Sequence, residues 1–119
     1  MGTRTTKEVL QDHLELSRNG SIEEDLKKNF SKDLILLSAH GIYNGHSGLK
    51  ELNERLIRDF PEAKFKYTNF LVKGEVGFLE WTAKSEYAQV DDGADSYIVR
   101  NGLIIAQTIH YTVIKHRKK

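Results

Sequence analysis

Asn101-Gly102 is the feature that most constrains the fold of this 119-residue chain. It lies between two β-rich runs, 94–100 and 103–115. Asn-Gly between such runs is a strong signal for a two-residue β-hairpin turn, because both residues tolerate the positive φ that the turn requires. The sequence therefore predicts that the last two strands pair antiparallel.

The first half of the chain is predicted to be mainly helical. Apolar residues recur at the spacing of amphipathic helices, and capping residues, glycines and a proline mark the helix ends. The predicted elements are a helix over 6–19, a short helix over 21–30 opened by a capping box, a strand over 34–37, a glycine-rich loop over 40–46, and a helix that Ser47 caps and Pro61 stops.

The second half is predicted to be sheet. Runs over 65–72 and 76–87 precede the hairpin, and the segment 91–93 is interpreted as a turn or bulge. The order is therefore helix, helix, strand, helix and a meander of four strands, which is typical of the α+β class. The length corresponds to one domain over 1–119, without an internal repeat or linker.

Composition argues against several classes of function. Lys and Arg total 18 against 17 Asp and Glu, and the basic residues concentrate only at 116–119, so no nucleic-acid partner is expected. The chain has no Cys, and its histidines lack metal-ligand spacing, so neither a metal nor another cofactor is expected. No apolar run is long enough to span a membrane, and a cytoplasmic protein is expected.

Counting outward from the hairpin turn assigns side chains to the two faces of the last two strands. In this register Asp95 faces Thr108, and Asp95, Tyr97 and His110 share one face. A carboxylate on a largely apolar sheet face is costly unless it has a partner or a pocket. Asp95 is therefore the first candidate for acid–base chemistry, and His110, on its diagonal, is the candidate partner.

The opposite face of the same hairpin is also partly apolar. It carries Ile98, Ile105, Ile109 and Tyr111 in the predicted register. One face of the sheet is expected to cover the helices, which leaves the other available to a partner. The sequence therefore predicts a homodimer that packs through this sheet face.

Four further residues are candidate ligand contacts. Tyr97 shares the face of Asp95, and Trp81 is interpreted as a pocket wall, with the neighbouring Glu80 pointing outward. His13 lies on the apolar side of the first helix, and Tyr43 lies in the glycine-rich loop that is expected to rim the pocket mouth. The structural alternative for each of them is an ordinary core or surface side chain.

Several segments together suggest a known family. They are the glycine-flanked start of the third helix at 45–49, Trp81 in a middle strand, and the segment 93–104, which holds Asp95 and ends in Arg-Asn-Gly-Leu-Ile. With the order of elements, these segments make nearly the whole chain resemble the SnoaL-like branch of the nuclear transport factor two-like superfamily. The resemblance implies a cystatin-like cone: three helices on a strongly curved, mainly antiparallel sheet around an internal pocket.

The same resemblance implies two kinds of function. The superfamily includes ketosteroid isomerase, polyketide cyclases, dehydratases, an epoxide hydrolase and non-catalytic modules, and in several of the enzymes a pocket carboxylate is the acid or base. In this chain the resemblance implies the role of acid or base for Asp95 alone. One hypothesis is cofactor-free isomerase-, cyclase-, lyase- or hydrolase-like chemistry on a small, largely apolar molecule. The other is a non-catalytic module that binds a small ligand or forms a dimer.

Overall fold

The computed structural model describes residues 3–116 and confirms the α+β class and the three predicted helices. The elements are α1 (Thr6–Arg18), α2 (Ile22–Asn29), β1 (Phe30–Ser38), β2 (Gly41–Asn44), α3 (Gly45–Asp59), β3 (Lys64–Lys73), β4 (Val76–Lys84), β5 (Ala88–Arg100), β6 (Leu103–His110) and β7 (Ile114–Lys115). The basic run predicted at 116–119 lies outside the described residues except for its first member.

Local capping sets the helix boundaries. The capping box belongs to α1, where Thr5 and Glu8 exchange side-chain-to-backbone hydrogen bonds of 2.8 and 3.1 Å. The capping box predicted at Ser21 is wrong, because the side chain of Ser21 makes no capping bond to α2 in the described part of the chain. The third helix begins at Gly45, earlier than predicted, and ends before Phe60-Pro61 as predicted.

The strands form one seven-stranded sheet in the order β2-β1-β6-β5-β4-β3, and β7 pairs with β5. Every pairing is antiparallel except that of β1 with β6. The loop predicted over 40–46 is wrong, because Gly41–Asn44 form β2 and pair with β1. The β-rich run predicted to end at 115 is divided, because β6 ends at His110 and β7 is a separate short strand.

The inner face of the sheet packs against the helices and forms the core. Leu10 of α1, Leu52 of α3 and Leu79 of β4 are all buried there. Trp81 of β4 pairs with Gly93 of β5, and its indole lies against the place where a Cβ of residue 93 would stand. Only glycine leaves room for the ring, so this cross-strand pair fixes Trp81 on the inner face.

The predicted hairpin turn is confirmed. Asn101 and Gly102 both have positive φ, 53° and 79°, and Arg100 pairs with Leu103. At the other end of β5, the strand continues through 91–93 with a shift in its pairing to β4, so the predicted turn or bulge there is a bulge.

A second bulge overturns the register that counting predicts. Val99 pairs with Ile104, but Ile98 pairs with Ala106, so Ile105 is an extra residue in β6. Beyond it every pairing moves by one. Tyr97 pairs with Gln107 instead of Ala106, and Asp95 pairs with Ile109 instead of Thr108.

The bulge places the side chains of β6 after Ile105 on the face opposite to the predicted one, because a shift of one residue reverses the two faces of a strand. Gln107, Ile109 and Tyr111 line the space beneath the helices, whereas Thr108 and His110 are exposed. The predicted partner face is therefore wrong in part, because Ile109 and Tyr111 belong to the inside.

Candidate active site

A cavity of about 450 Å³ lies between the helices and the inner face of the sheet. Its lining is mostly apolar, with a few polar side chains that converge from distant parts of the chain. The polar lining residues include His13 and Asp25 from the first two helices, and Asp95, Tyr97, Gln107 and Tyr111 from the sheet side. A mostly apolar cavity with a few convergent polar groups is the usual form of a small-molecule site.

Asp95 is the most buried acidic group of the sheet, with 6% of its surface exposed. Its Oδ1 accepts a 2.9 Å hydrogen bond from the Trp81 indole, and its Oδ2 accepts bonds from the Tyr97 hydroxyl at 3.0 Å and from Gln107 Nε2 at 3.2 Å. Burial raises the pKa of Asp95 to about 6, because the three donors and the nearby His13 only partly offset the loss of solvation.

Tyr97 connects Asp95 to a histidine. Its hydroxyl donates to Asp95 and lies 3.4 Å from Nε2 of His13. Burial and the neighbouring carboxylate of Asp95 raise the pKa of Tyr97 well above its ordinary value. The phenol therefore stays protonated and acts as a hydrogen-bond donor.

His13 is held from its other side by a second buried carboxylate. Its Nδ1 lies 2.7 Å from Oδ2 of Asp25, and Asn29 donates a 2.8 Å bond to the other oxygen of Asp25. A carboxylate beside Nδ1 favours the tautomer with the proton on that nitrogen. The Nε2 that faces Tyr97 is then free to accept a proton.

The structure brings four of the predicted site residues together. Asp95, Tyr97, Trp81 and His13 all line the cavity, and Glu80 points outward as expected. Tyr43 does not join them: its backbone and Cβ lie against Gly48 near the start of α3, and it is not among the residues that line the cavity.

The predicted pairing of His110 with Asp95 is wrong. The side chain of His110 is 60% exposed on the opposite face, where its Nε2 lies 3.4 Å from Asp92. The bulge at Ile105 is the physical reason, since it turns every later side chain of β6 to the other face. His13 is the histidine that approaches Asp95, through Tyr97.

Among the lining residues that were not predicted, Asp25, Gln107 and Tyr111 contribute polar groups close to the predicted ones. Asp25 follows Glu23 and Glu24 in the first turn of α2, where acidic residues are common because of the helix dipole. Gln107 and Tyr111 were assigned to the wrong face. A bulge placed in β6 would have brought both inside.

Aromatic rings form one wall of the cavity. The Trp81 ring lies 5.5 Å from Phe65 and 5.8 Å from Tyr111, measured between centroids. Arg18 and Tyr67 also line the cavity, and the exposed Arg18 guanidinium lies 4.7 Å from the centroid of the Tyr67 ring. These rings offer flat apolar surface to a bound molecule.

Two further findings concern residues 3–116. They include no group of three or more His, Cys, Asp or Glu side chains placed to hold a metal ion. None of the three helices is long and apolar enough to cross a membrane.

No protein-family model matches the sequence, and no curated protein sequence matches it. Solved structures do match. A proposed ketosteroid isomerase from Kribbella flavida is 14% identical, with 98% of this chain and 86% of that one covered and a TM-score of 0.76. A proposed SnoaL-like polyketide cyclase from Mesorhizobium loti is 19% identical over 91% of this chain and all of that one, with a TM-score of 0.65.

A third similar structure is TerC, crystallised with polyporic acid. It is 17% identical, with 90% of this chain and 91% of that one covered and a TM-score of 0.76. Other similar structures are named NTF2-like, or nuclear transport factor two-like. The chain therefore has the NTF2-like fold that the sequence resemblance implies, and its structural neighbours include proteins named SnoaL-like and ketosteroid isomerase.

Proposed function

We propose that this chain is a cofactor-free enzyme that moves a proton on a small, largely apolar substrate, with Asp95 as the acid or base. The observation that carries the proposal is a carboxylate buried in a mostly apolar cavity, with its pKa raised by burial to about 6. A general base works best when its pKa lies near the working pH. The neighbours named as an isomerase and a cyclase support the same class of chemistry.

The arrangement around Asp95 supplies a route for the proton. The carboxylate of Asp95 takes a proton from a substrate C–H or O–H group, and the electron pair of that bond stays with the substrate. The proton on Asp95 then moves to the Tyr97 oxygen while the Tyr97 hydroxyl proton moves to Nε2 of His13. Tyr97 therefore remains a neutral phenol. The carboxylate of Asp25 stabilises the resulting imidazolium, and the reverse sequence returns the proton to the product.

The surroundings favour charge development in the substrate. Buried apolar side chains, among them Leu52, Leu79 and Trp81, line the cavity and lower its polarity. In such a site each hydrogen bond to a developing oxyanion is stronger than in water. Isomerisation, cyclisation, dehydration and hydrolytic ring opening all begin with a proton transfer of this kind.

The alternative is a non-catalytic module that binds a small ligand in the same cavity. One observation favours it: the carboxylate of Asp95 already accepts three hydrogen bonds from Trp81, Tyr97 and Gln107. A carboxylate so well satisfied is also what a structural role requires. Turnover that depends on Asp95 separates the two functions.

Proton transfer can be tested before the substrate is known. Cyclohexanone, 2-tetralone and 6-hydroxy-2-tetralone are enolisable ketones of suitable size, and their exchange of α-hydrogens for deuterium is followed by NMR in D₂O. The wild type is expected to accelerate exchange of at least one of them over buffer. Asp95→Asn is expected to lower that rate by roughly 100-fold or more, because the variant has no basic carboxylate.

Asp92→Asn is the matched control, since it removes a carboxylate from the outer side of the same strand. It is expected to exchange at the wild-type rate. No acceleration of any of the three ketones by the wild type, or full activity in Asp95→Asn, contradicts the proposal. Either result favours the binding module.

We also propose that two copies pair through the outer face of the sheet. Apolar side chains there form a row across four strands, in which Ile35 pairs with Ala106, Ala106 with Ile98, and Ile98 with Val76. Ile35, Ile98 and Val76 are exposed, and Ala106 is half-buried. Leu37 pairs with Ile42 beside this row. A continuous apolar face of this kind is self-complementary, which suits a twofold dimer.

Sedimentation measures the proposed pairing directly. The wild type is expected to sediment as a dimer, and Ile98→Lys as a monomer, because a lysine in the middle of the row leaves a charge buried between the two copies. Gln11→Lys, on the exposed side of α1, is expected to remain dimeric. A monomeric wild type contradicts this pairing without affecting the proposal for Asp95.

A further inference from the structure

Asn29, the last residue of α2, is fully buried behind the candidate site and is not among the residues that line the cavity. Its side-chain carbonyl oxygen accepts a 2.8 Å hydrogen bond from Nη1 of Arg4. Its NH₂ group donates to Asp25 at 2.8 Å and to Asp12 at 3.0 Å. Both N–H groups and the carbonyl oxygen of the amide therefore have a partner.

The neighbouring charges determine which way the Asn29 amide points. Partial burial raises the pKa of Asp12, but hydrogen bonds from Asn29 and Lys28 outweigh it and leave that pKa below its ordinary value. Asp12 is therefore ionised at neutral pH and only accepts hydrogen bonds, so the NH₂ group must face it. The Arg4 guanidinium only donates, so the carbonyl oxygen must face Arg4. The orientation of the amide is thus fixed from two sides.

The bond from Asn29 holds one oxygen of the Asp25 carboxylate and leaves the other for the histidine of the site. Asp25 is 1% exposed, its Oδ1 accepts from Asn29, and its Oδ2 lies 2.7 Å from Nδ1 of His13. A buried carboxylate oxygen without a partner costs free energy. Loss of the Asn29 amide therefore favours any movement of Asp25 that brings Oδ1 to another donor, at the expense of the bond to His13.

Arg4 anchors this arrangement from the surface, where its side chain is 33% exposed. Besides the amide of Asn29, its guanidinium donates to the carbonyl oxygen of Lys28 at 2.7 Å and to that of Gly102 at 3.1 Å. Lys28 is in the last turn of α2, and Gly102 is in the hairpin turn between β5 and β6. A planar guanidinium holds several acceptors in fixed directions. Arg4 therefore ties the end of α2 to the strands that carry the candidate site.

We infer that Asn29 is a positioning residue that holds the Asp25 carboxylate against Nδ1 of His13. Arg4 holds the Asn29 amide in turn. With Asp25 fixed, the imidazole proton stays on Nδ1, and Nε2 faces Tyr97 as an acceptor. The effect on catalysis rests on the proposed function, because there the imidazole of His13 receives the proton from Tyr97.

The tautomer of His13 is the direct readout, and it requires no substrate. It is measured by NMR on ¹⁵N-histidine-labelled protein at a pH of about 8.5, above the ordinary histidine pKa of roughly 6.5. The wild type is expected to carry the proton on Nδ1. Asn29→Leu, which has a similar volume and no hydrogen-bonding group, is expected to show both tautomers. A wild type without the Nδ1–H tautomer overturns the inference, and so does a wild-type tautomer in Asn29→Leu.

Asn69→Leu is the matched control, because it removes an amide that donates to Glu80 at 3.1 Å on the exposed part of β3. It is expected to keep the wild-type tautomer of His13. A shift in this control as large as that in Asn29→Leu overturns the inference, since the buried amide would then have no special part.

Arg4→Met provides a milder variant for the case in which Asn29→Leu does not fold. It is expected to shift the tautomer in the same direction but less, because the Asn29 amide keeps its two carboxylate partners. Arg4→Lys, which restores the charge and a single donor, is expected to recover part of the shift. Arg100→Met removes an exposed partner of Glu75 and is expected to change nothing. A wild-type tautomer in Arg4→Met overturns the role of Arg4 and, where Asn29→Leu does not fold, the whole inference.

Kinetics supply the second readout, with the ketone that the wild type exchanges fastest. Asn29→Leu is expected to lower kcat roughly tenfold and to leave KM within about twofold, because Asn29 acts on His13 and does not touch the substrate. A raised KM with unchanged kcat overturns the inference. A tautomer that depends on Asn29 in a protein without ketone exchange supports the inference and contradicts the proposed enzyme. Exchange that requires Asp95, with a tautomer that no variant shifts, has the opposite meaning.

Discussion

Asp95 and Asp92 are on the same strand, but their carboxylates have opposite properties. Asp95 is buried in the cavity, and burial raises its pKa to about 6. Partial burial also pulls the pKa of Asp92 upward, but hydrogen bonds from Thr112, at 2.7 and 2.8 Å, and the nearby His110 outweigh it and leave that pKa below its ordinary value. The side of the sheet therefore decides which of the two aspartates has its pKa raised toward neutral pH.

The two histidines near these aspartates differ in the same way. His13 is buried between Asp25 and Tyr97, whereas His110 is exposed beside Asp92. An exposed pair of this kind is weakened by solvent and salt, while a buried pair is fixed in one geometry. Residue types alone do not distinguish a site from a surface pair, because the chain holds both.

The larger of the two effects expected to distinguish the buried histidine and aspartate from the exposed pair is on the rate of proton transfer. His13→Gln is expected to lower the rate of ketone deuterium exchange by roughly tenfold to 100-fold, because it removes the acceptor behind Tyr97. His110→Gln is the matched control and is expected to keep the wild-type rate. Equal rates in the two variants would mean that the histidine inside the cavity takes no part in proton transfer.

Local signals predicted most of the fold. Asn101-Gly102 specifies its own turn, and Pro61 stops α3, because each acts through the backbone of one or two residues. Trp81 was correctly placed on the inner face, and strand alternation then puts the neighbouring Glu80 on the outer face. The strand β2 was missed because it begins at Gly41 and is followed by Gly45, and glycine is typical of loops.

The candidate site was predicted only in part. Asp95 and Tyr97 were placed together correctly, because they alternate along one uninterrupted stretch of β5. The partners across the hairpin were wrong because one extra residue, Ile105, reverses the faces of β6, and an isoleucine in an apolar strand gives no local sign of a bulge. Asp25 reaches His13 only through tertiary packing, which a single sequence does not reveal.

A smaller effect, in free energy of unfolding, tests the central claim that burial has tuned Asp95 toward proton transfer. Since the folded pKa of about 6 exceeds the unfolded value of roughly 4, ionisation of Asp95 costs stability as pH rises between the two values. Ionisation of Asp92 has the opposite effect, because its pKa is lowered in the folded protein. The ionised carboxylate of Asp92 adds to the free energy of unfolding, and this stabilisation is lost as pH falls. Asp92→Asn is therefore expected to be less stable than the wild type at neutral pH.

The decisive measurement is denaturant unfolding of the wild type and Asp95→Asn from about pH 4 to about pH 8, with Asp92→Asn as the control. The expected result is that Asp95→Asn gains stability relative to the wild type as pH rises, by roughly 2 kcal/mol over this range, because asparagine cannot ionise. The contradicting result is an Asp95→Asn variant that loses stability relative to the wild type toward neutral pH. Asp95 would then be a structural carboxylate that its three donors stabilise in the ionised form.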